Sequence, residues 1–289
     1  MLRDWGSRDA AFIAMNRRVL DRLVELADSQ SSHVAVPLQG SGTFAVEAMV
    51  ATFLPGDGKA LILINGAYGH RIATICDYLG RAYSTYETDE DVPPNPTIVA
   101  ARLADDPAIT HVIVVQCETT SGILNPIEDI AAVTAAAGRR LLIDAMSAFG
   151  ALPIDARETP FDALAASANK CLEGVPGIGF VLCRADVLSE CAGNSHSLSL
   201  DLADQWAALE KTGQWRFTPP THVVAAFEQA LLEHEAEGGV AGRYARYREN
   251  CDILVSGMRA RGFTPLLDDT LQAPTIVTFL MPEDRKFVF

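Results

Sequence analysis

The feature that most constrains this chain is a series of short, continuously apolar runs separated by stretches of helical spacing. Residues 60–64, 111–117, 140–144 and 179–183 are apolar along nearly their whole length, as in strands buried on both faces. Residues 33–38 and 161–166 read as two further short strands. Between these runs the apolar spacing is helical. Residues 10–26 carry Phe12, Ile13, Val19, Leu20, Leu23 and Val24 on one face. Helices are predicted over 43–53 under a Ser/Thr cap, over 66–79, over 96–103 and over 126–137 with proline in its first turn. Strands that are apolar throughout need cover on both sides. The pattern therefore predicts a three-layer α/β domain around a mostly parallel sheet. Beyond Pro220 it becomes helical (223–237 and 240–261), and a lone strand follows at 275–280. A large domain is placed at 1–240, and 241–289 reads as the start of a small α+β C-terminal domain.

Composition narrows the function. Of 289 residues, 49% are hydrophobic and 21% charged, which excludes disorder as the main state. Lys and Arg number 23 against 37 Asp and Glu, a net charge of -14. That balance disfavours nucleic acid and anionic membranes as partners, since both need a basic face, but it leaves room for a local anion pocket. No apolar run nears the roughly 20 residues of a membrane span. The six cysteines form no C-x-x-C pair and sit mostly in apolar segments, so they read as reduced, buried thiols of a cytoplasmic protein. The six histidines show no ligand spacing, so no metal site is predicted.

Three motifs carry chemistry. Gly40-Ser-Gly-Thr-Phe-Ala45 lies at a strand-to-helix junction, where small residues let backbone N–H groups approach a phosphate. It also matches G-x-G-x-x-A, and by itself it could be a dinucleotide site or a plain connector. An NAD site would want an acid at the end of the next strand, which instead ends Ile64-Asn65-Gly66. Asp144 closes the run Leu141-Leu-Ile-Asp144, where a strand's carboxyl end meets ligands, although an acid there also serves as a cap or a surface charge. Lys170 sits in Ser167-Ala-Asn-Lys-Cys-Leu-Glu-Gly-Val-Pro-Gly177. Its small and apolar neighbours predict partial desolvation and a lowered pKa, whereas most lysines are solvated surface charges. A phosphate cradle, a carboxylate and an imine-forming lysine are together what pyridoxal phosphate needs.

With these residues in place, the chain resembles the class V, fold-type I aminotransferases, and among them the 2-aminoethylphosphonate:pyruvate transaminases. The resemblance also rests on Pro37–Ala48, Asn65-Gly-Ala-Tyr-Gly-His-Arg71, Glu118-Thr-Thr-Ser-Gly-Ile-Leu-Asn-Pro126, Asp144-Ala-Met-Ser-Ala-Phe-Gly150 and Phe217-Thr-Pro-Pro-Thr-His222. It implies an aspartate-aminotransferase-like fold and pyridoxal 5′-phosphate as cofactor. Lys170 matches the lysine that tethers the cofactor and shuttles the proton, and Asp144 the acid paired with the pyridinium N–H. Ser41, Gly42 and Thr43 match the phosphate turn, Tyr68 the aromatic stacked on the ring, and Thr119 a hydroxyl near the phenolic oxygen. Asn169 matches a phosphate ligand, and Thr218 one donated by the second subunit of a homodimer.

The implied reaction is transamination of 2-aminoethylphosphonate with pyruvate, an amine and a 2-oxo acid, in phosphonate catabolism. Alanine or serine with glyoxylate is the alternative within the class, and an inactive fragment or degenerate dimer partner the alternative outside it. Relatives of this kind carry an upstream Leu-Thr-Pro-Gly-Pro-type segment and a later arginine that binds the substrate carboxylate. Met1 is therefore read as an internal methionine, and the C-terminal domain as truncated. Arg285 does not match the carboxylate-binding position.

Overall fold

The computed structural model describes residues 3–284, 286 and 287; Met1 and Arg285 lie outside the described residues. The chain opens with α1 (Ala10–Glu25), β1 (His33–Gly40), α2 (Gly42–Phe53), β2 (Lys59–Ile64), α3 (Ala67–Leu79) and β3 (Ala82–Glu87). It continues with α4 (Pro96–Asp105), β4 (Ile109–Val115), the short hairpin β5 (Cys117–Glu118) and β6 (Ile123–Leu124), α5 (Ile127–Ala136) and β7 (Arg140–Asp144). Then come β8 (Ala163–Ser167), β9 (Gly177–Arg184), α6 (Ala185–Glu190), α7 (Leu202–Thr212), α8 (Thr221–Ala236) and α9 (Gly239–Arg259).

One seven-stranded sheet has the order β1-β9-β8-β7-β4-β2-β3. Strands β8, β7, β4, β2 and β3 run parallel, and β9 is antiparallel to both β8 and β1. The expected mixed, mostly parallel sheet is therefore present. Its strands alternate faces with period two. Leu61, Leu63, Val112, Val114, Leu141 and Ile143 pack towards α1, α4, α5 and α8. Ile62, Ile64, Ile113, Val115 and Leu142 pack towards α2 and α3. This two-sided burial is what the continuous apolar runs required.

Four sequence readings change. Strand β3 was not anticipated: it is a polar edge strand paired only with β2, and Tyr86 is its one fully buried residue. Helices α6 and α7 were also missed: α6 has only six residues, and α7 buries only Leu202, Gln205 and Leu209. The strand predicted over 275–280 does not form. That segment makes a single bridge, Pro265 to Phe279, with bonds from Leu266 N–H to Thr278 O (2.8 Å) and from Leu280 N–H to Thr264 O (2.8 Å). It finds too little partner backbone to build a ladder. The dinucleotide reading of Gly40–Ala45 also fails. Strand β1 is an antiparallel edge strand, and β2 lies on the far side of β9, β8, β7 and β4. A dinucleotide unit would need β1 and β2 in one parallel βαβ crossover.

All six cysteines are free and buried, as predicted. Leu142 is fully buried between α2 and the sheet. Leu142→Ala is expected to lower stability by about 2–5 kcal/mol, read as a shift of the urea midpoint with an unchanged slope.

Candidate active site

The residues picked out by the motifs converge at the carboxyl ends of the parallel strands. The β7 strand delivers Asp144 there, 3% exposed. Its backbone is pinned by Gln116 N–H to Asp144 O (2.8 Å), and the next residue by Ala145 N–H to Ala165 O (2.9 Å). Oδ1 accepts the Met146 N–H at 3.0 Å. Burial pushes this carboxyl up to about 6; the Met146 N–H, Arg71 and Lys170 pull it down, while Glu118 adds to the rise. A carboxylate held in this way favours a cationic partner.

Strand β1 ends in Gly40, whose φ of +136° lets the chain turn sharply into α2. Ser41 stands at the N-cap, yet its side chain makes no capping bond, so the predicted Ser/Thr cap does not form and the hydroxyl is left for other partners. Gly42 is required by close approach: a Cβ there would lie 2.5 Å from Met146 Sδ. The start of α2 can therefore press against the turn that follows Asp144. The first N–H groups of α2 have no acceptors within the helix, and its dipole favours an anion at this end.

Lys170 lies in the turn after β8, closed by Glu173 N–H to Lys170 O (2.8 Å) and Gly174 N–H to Ala168 O (2.8 Å). Lys170 and Asn169 are both exposed, so the desolvation predicted for the lysine is not found. The flanking apolar residues Ala168, Cys171 and Leu172 turn into the core and leave the lysine outside. Lys170 and Asn169 line a cavity of about 500 Å³ together with Ser41, Gly42, Thr43 and Asp144. Tyr68 lines it too, with the Arg71 guanidinium 4.4 Å from the centre of its ring.

Not every sequence candidate lies there. Thr119 lines a second cavity, of about 430 Å³, which Lys170 also borders. Its Oγ1 is 2.7 Å from Ser147 Oγ. Thr218 is exposed in the loop before α8 and does not line the cofactor-sized cavity of its own chain.

Sequence reasoning missed several contributors. Arg71 lay inside a quoted motif but was given no role; it also donates to Thr43 Oγ1 at 3.4 Å. Ser167 Oγ is buried without a partner in a residue that lines the cavity. Glu118 is fully buried and accepts the N–H groups of Tyr68 and Gly69 (both 3.3 Å) at the start of α3. It thereby sets Tyr68 in place. Only long-range folding brings Glu118 to that helix end, so no local signal could have found it.

The unpaired Ser167 hydroxyl, the uncapped Ser41, the N-terminus of α2 and the buried acid fit a phosphorylated, cationic aromatic ligand. The volume is in the range of small-molecule sites. The raised Asp144 group gives a stability prediction for the ligand-free chain. Its folded pKa of about 6 lies above the ordinary value of 3.8, so its contribution favours folding at low pH and is lost as pH rises between these values. Asp144→Asn is expected to be more stable than the parent at pH 7 by on the order of 2–3 kcal/mol, with the gap closing near pH 4. Chemical denaturation across that range measures it.

Residues 34–284 match the family described as Aminotransferase class-V. A Pseudomonas putida protein named 2-aminoethylphosphonate–pyruvate transaminase is 56% identical over all 289 residues, which cover 78% of its length. A Pseudomonas aeruginosa protein of the same name is 55% identical over the same span. Among solved structures, alanine–glyoxylate aminotransferase from Nostoc sp. superposes with a TM-score of 0.90 at 20% identity, covering 98% of this chain and 75% of that one. Pyridoxamine–pyruvate aminotransferase from Mesorhizobium loti gives 0.88 at 24% identity, covering 98% and 72%. These share the fold. With a family match over most of its length and whole-chain relatives above half identity, this chain belongs to the class V aminotransferases.

Proposed function

We propose that the cavity holds pyridoxal 5′-phosphate and that the chain transfers the amino group of 2-aminoethylphosphonate to pyruvate, yielding phosphonoacetaldehyde and alanine. The observation that carries the cofactor is one cavity lined by Ser41, Gly42, Thr43, Asp144, Asn169 and Lys170. The substrate rests on whole-chain identity to the Pseudomonas transaminases. When bound, the cofactor supplies a protonated ring that accepts electrons from the substrate carbon.

The protein's residues do the rest. Ser41 Oγ and the N–H groups of Gly42 and Thr43 would hold the phosphate, with Asn169 and the unpaired Ser167 hydroxyl beside them. Asp144 would receive the ring N–H, a pairing that would offset the cost of burying its charge. Tyr68 would cover the ring, and Thr119, which lines the second cavity that Lys170 also borders, would lie towards its phenolic oxygen. Lys170 Nζ would tether the cofactor and, as an amine beside the reacting atoms, would hold and move the proton of the amine-bearing carbon. Its exposure suits a group that must move.

The working unit in this reading is a homodimer. Phe44, Val175 and Phe217 are exposed large apolar residues, next in sequence to Thr43, Pro176 and Thr218. A second copy laid over them would cover apolar surface and bring Thr218 to the partner's phosphate site. We place the boundary between the large domain (1–240) and the second unit (241–289) just after Gly238 and Gly239, whose positive φ turns the chain from α8 into α9. Among the described residues no helix is long and apolar enough to cross a membrane. The free, buried cysteines suit the reducing cytoplasm.

Adding pyridoxal phosphate to the purified chain is expected to give a visible absorption band that Lys170→Ala abolishes. Alanine formation from pyruvate is expected with 2-aminoethylphosphonate as donor and at least about tenfold slower with serine. Faster turnover of alanine or serine with glyoxylate would move the substrate assignment to that branch of the class.

A further inference from the structure

The turn that carries Lys170 is held from outside by α9. Glu173, three residues on, has a φ of +56°, one of two non-glycine residues with positive φ among the described residues. A glutamate keeps that left-handed conformation only where its surroundings hold it. Three donors do so. Tyr247 Oη donates to Glu173 Oε1 at 2.8 Å and Arg246 Nη2 at 2.9 Å, while Arg243 Nη1 lies 3.5 Å from Oε2.

Arg243 is the centre of this arrangement. Its side chain is 2% exposed, which is costly for a charge unless it is fully paired. Its Nε and Nη2 each meet Glu237 Oε2 at 2.8 Å, in the turn between α8 and α9. Its Nη1 donates to the carbonyl of Cys171, the residue after Lys170. Arg246 also donates to Glu237, at 2.6 Å, and with Arg243 holds that carboxyl down at about 2. Gly242 lets the first turn of α9 close over Glu237, since a Cβ there would collide with the Glu237 carbonyl. One planar guanidinium thus joins the α8–α9 turn to the lysine turn at two points.

We infer that Arg243, acting with Glu173, is a positioning residue for Lys170: it fixes the turn from which Nζ reaches the reacting carbon. The inference rests on the aminotransferase reading above. A fork that grips both a carbonyl and a carboxylate restrains orientation as well as distance, which a point charge on lysine would do less well. Its loss would misplace the lysine without removing any group that touches substrate.

The test compares Arg243→Lys, Arg243→Met and Glu173→Gly with the parent as holoenzymes. Glu173→Gly guards against a variant that fails to fold, because glycine adopts the left-handed turn freely while the anchoring carboxylate is lost. The expected result is a fall in kcat for 2-aminoethylphosphonate of about 10- to 100-fold in Arg243→Met and Glu173→Gly, with KM within about twofold. Arg243→Lys is expected to recover part of it. Hydrogen exchange is expected to quicken at amides 168–174 and to stay unchanged in β4 and β7. Unchanged kcat and turn exchange in Glu173→Gly would overturn the inference, as would losses that merely follow the urea midpoint. A parent chain that forms no visible band with pyridoxal phosphate would instead remove the aminotransferase reading, and the inference with it.

Discussion

Burial of one sheet on both of its faces is the constraint on which the rest of this structure depends. Strands β2, β4 and β7 place apolar side chains alternately against two helical layers, so polar chemistry finds no room at residues 60–64, 112–115 and 141–143. It is displaced to the strand ends. There the backbone stops pairing, helices begin with unsatisfied N–H groups, and side chains from distant parts of the chain meet. Asp144, Ser41 to Thr43 and Lys170 are all products of that displacement: each is the last residue of a strand or lies a few residues beyond one.

The arrangement carries an electrostatic cost. Asp144 is an acid in a nearly dry position with one backbone N–H as its hydrogen-bond donor, and its charged form is disfavoured without a cation in front of it. Such a group makes the ligand-free chain less stable than it could be and makes a cationic ring a strong partner. Glu118 is the contrast. Equally buried, it accepts hydrogen bonds from the backbone of Tyr68, Gly69 and Thr120 and from the Thr120 hydroxyl, and so serves the architecture of α3.

Much of the fold was legible because strands buried on both faces leave an unmistakable trace: long helices and continuous apolar runs were placed within a few residues. Elements without that trace were missed. Strand β3 is polar because it is an edge, α6 is too short for a clear period, α7 buries only three residues, one of them Gln205, and the 275–280 run looks like a strand but meets little backbone to pair with. At the site, Lys170, Asp144 and the Gly40–Thr43 turn stood out because each is an unusual residue type for its local pattern. Arg71, Glu118 and Ser167 did not, since an arginine in a helix's first turns, or a glutamate or serine at a strand end, is ordinary until its neighbours are known.

Sequence alone determined the class of architecture, the order of its main strands and helices, and the trio of glycine-rich turn, acid and lysine that lines one cavity. Those are local properties: apolar period, turn composition and residue type. Tertiary structure decided that β1 is an antiparallel edge strand and not the start of a dinucleotide unit. It also put Lys170 outside the core, although its neighbours in sequence are buried, and it brought Arg243 under the turn that carries it. Each of these depends on which distant segments meet, and a linear pattern holds no record of that pairing.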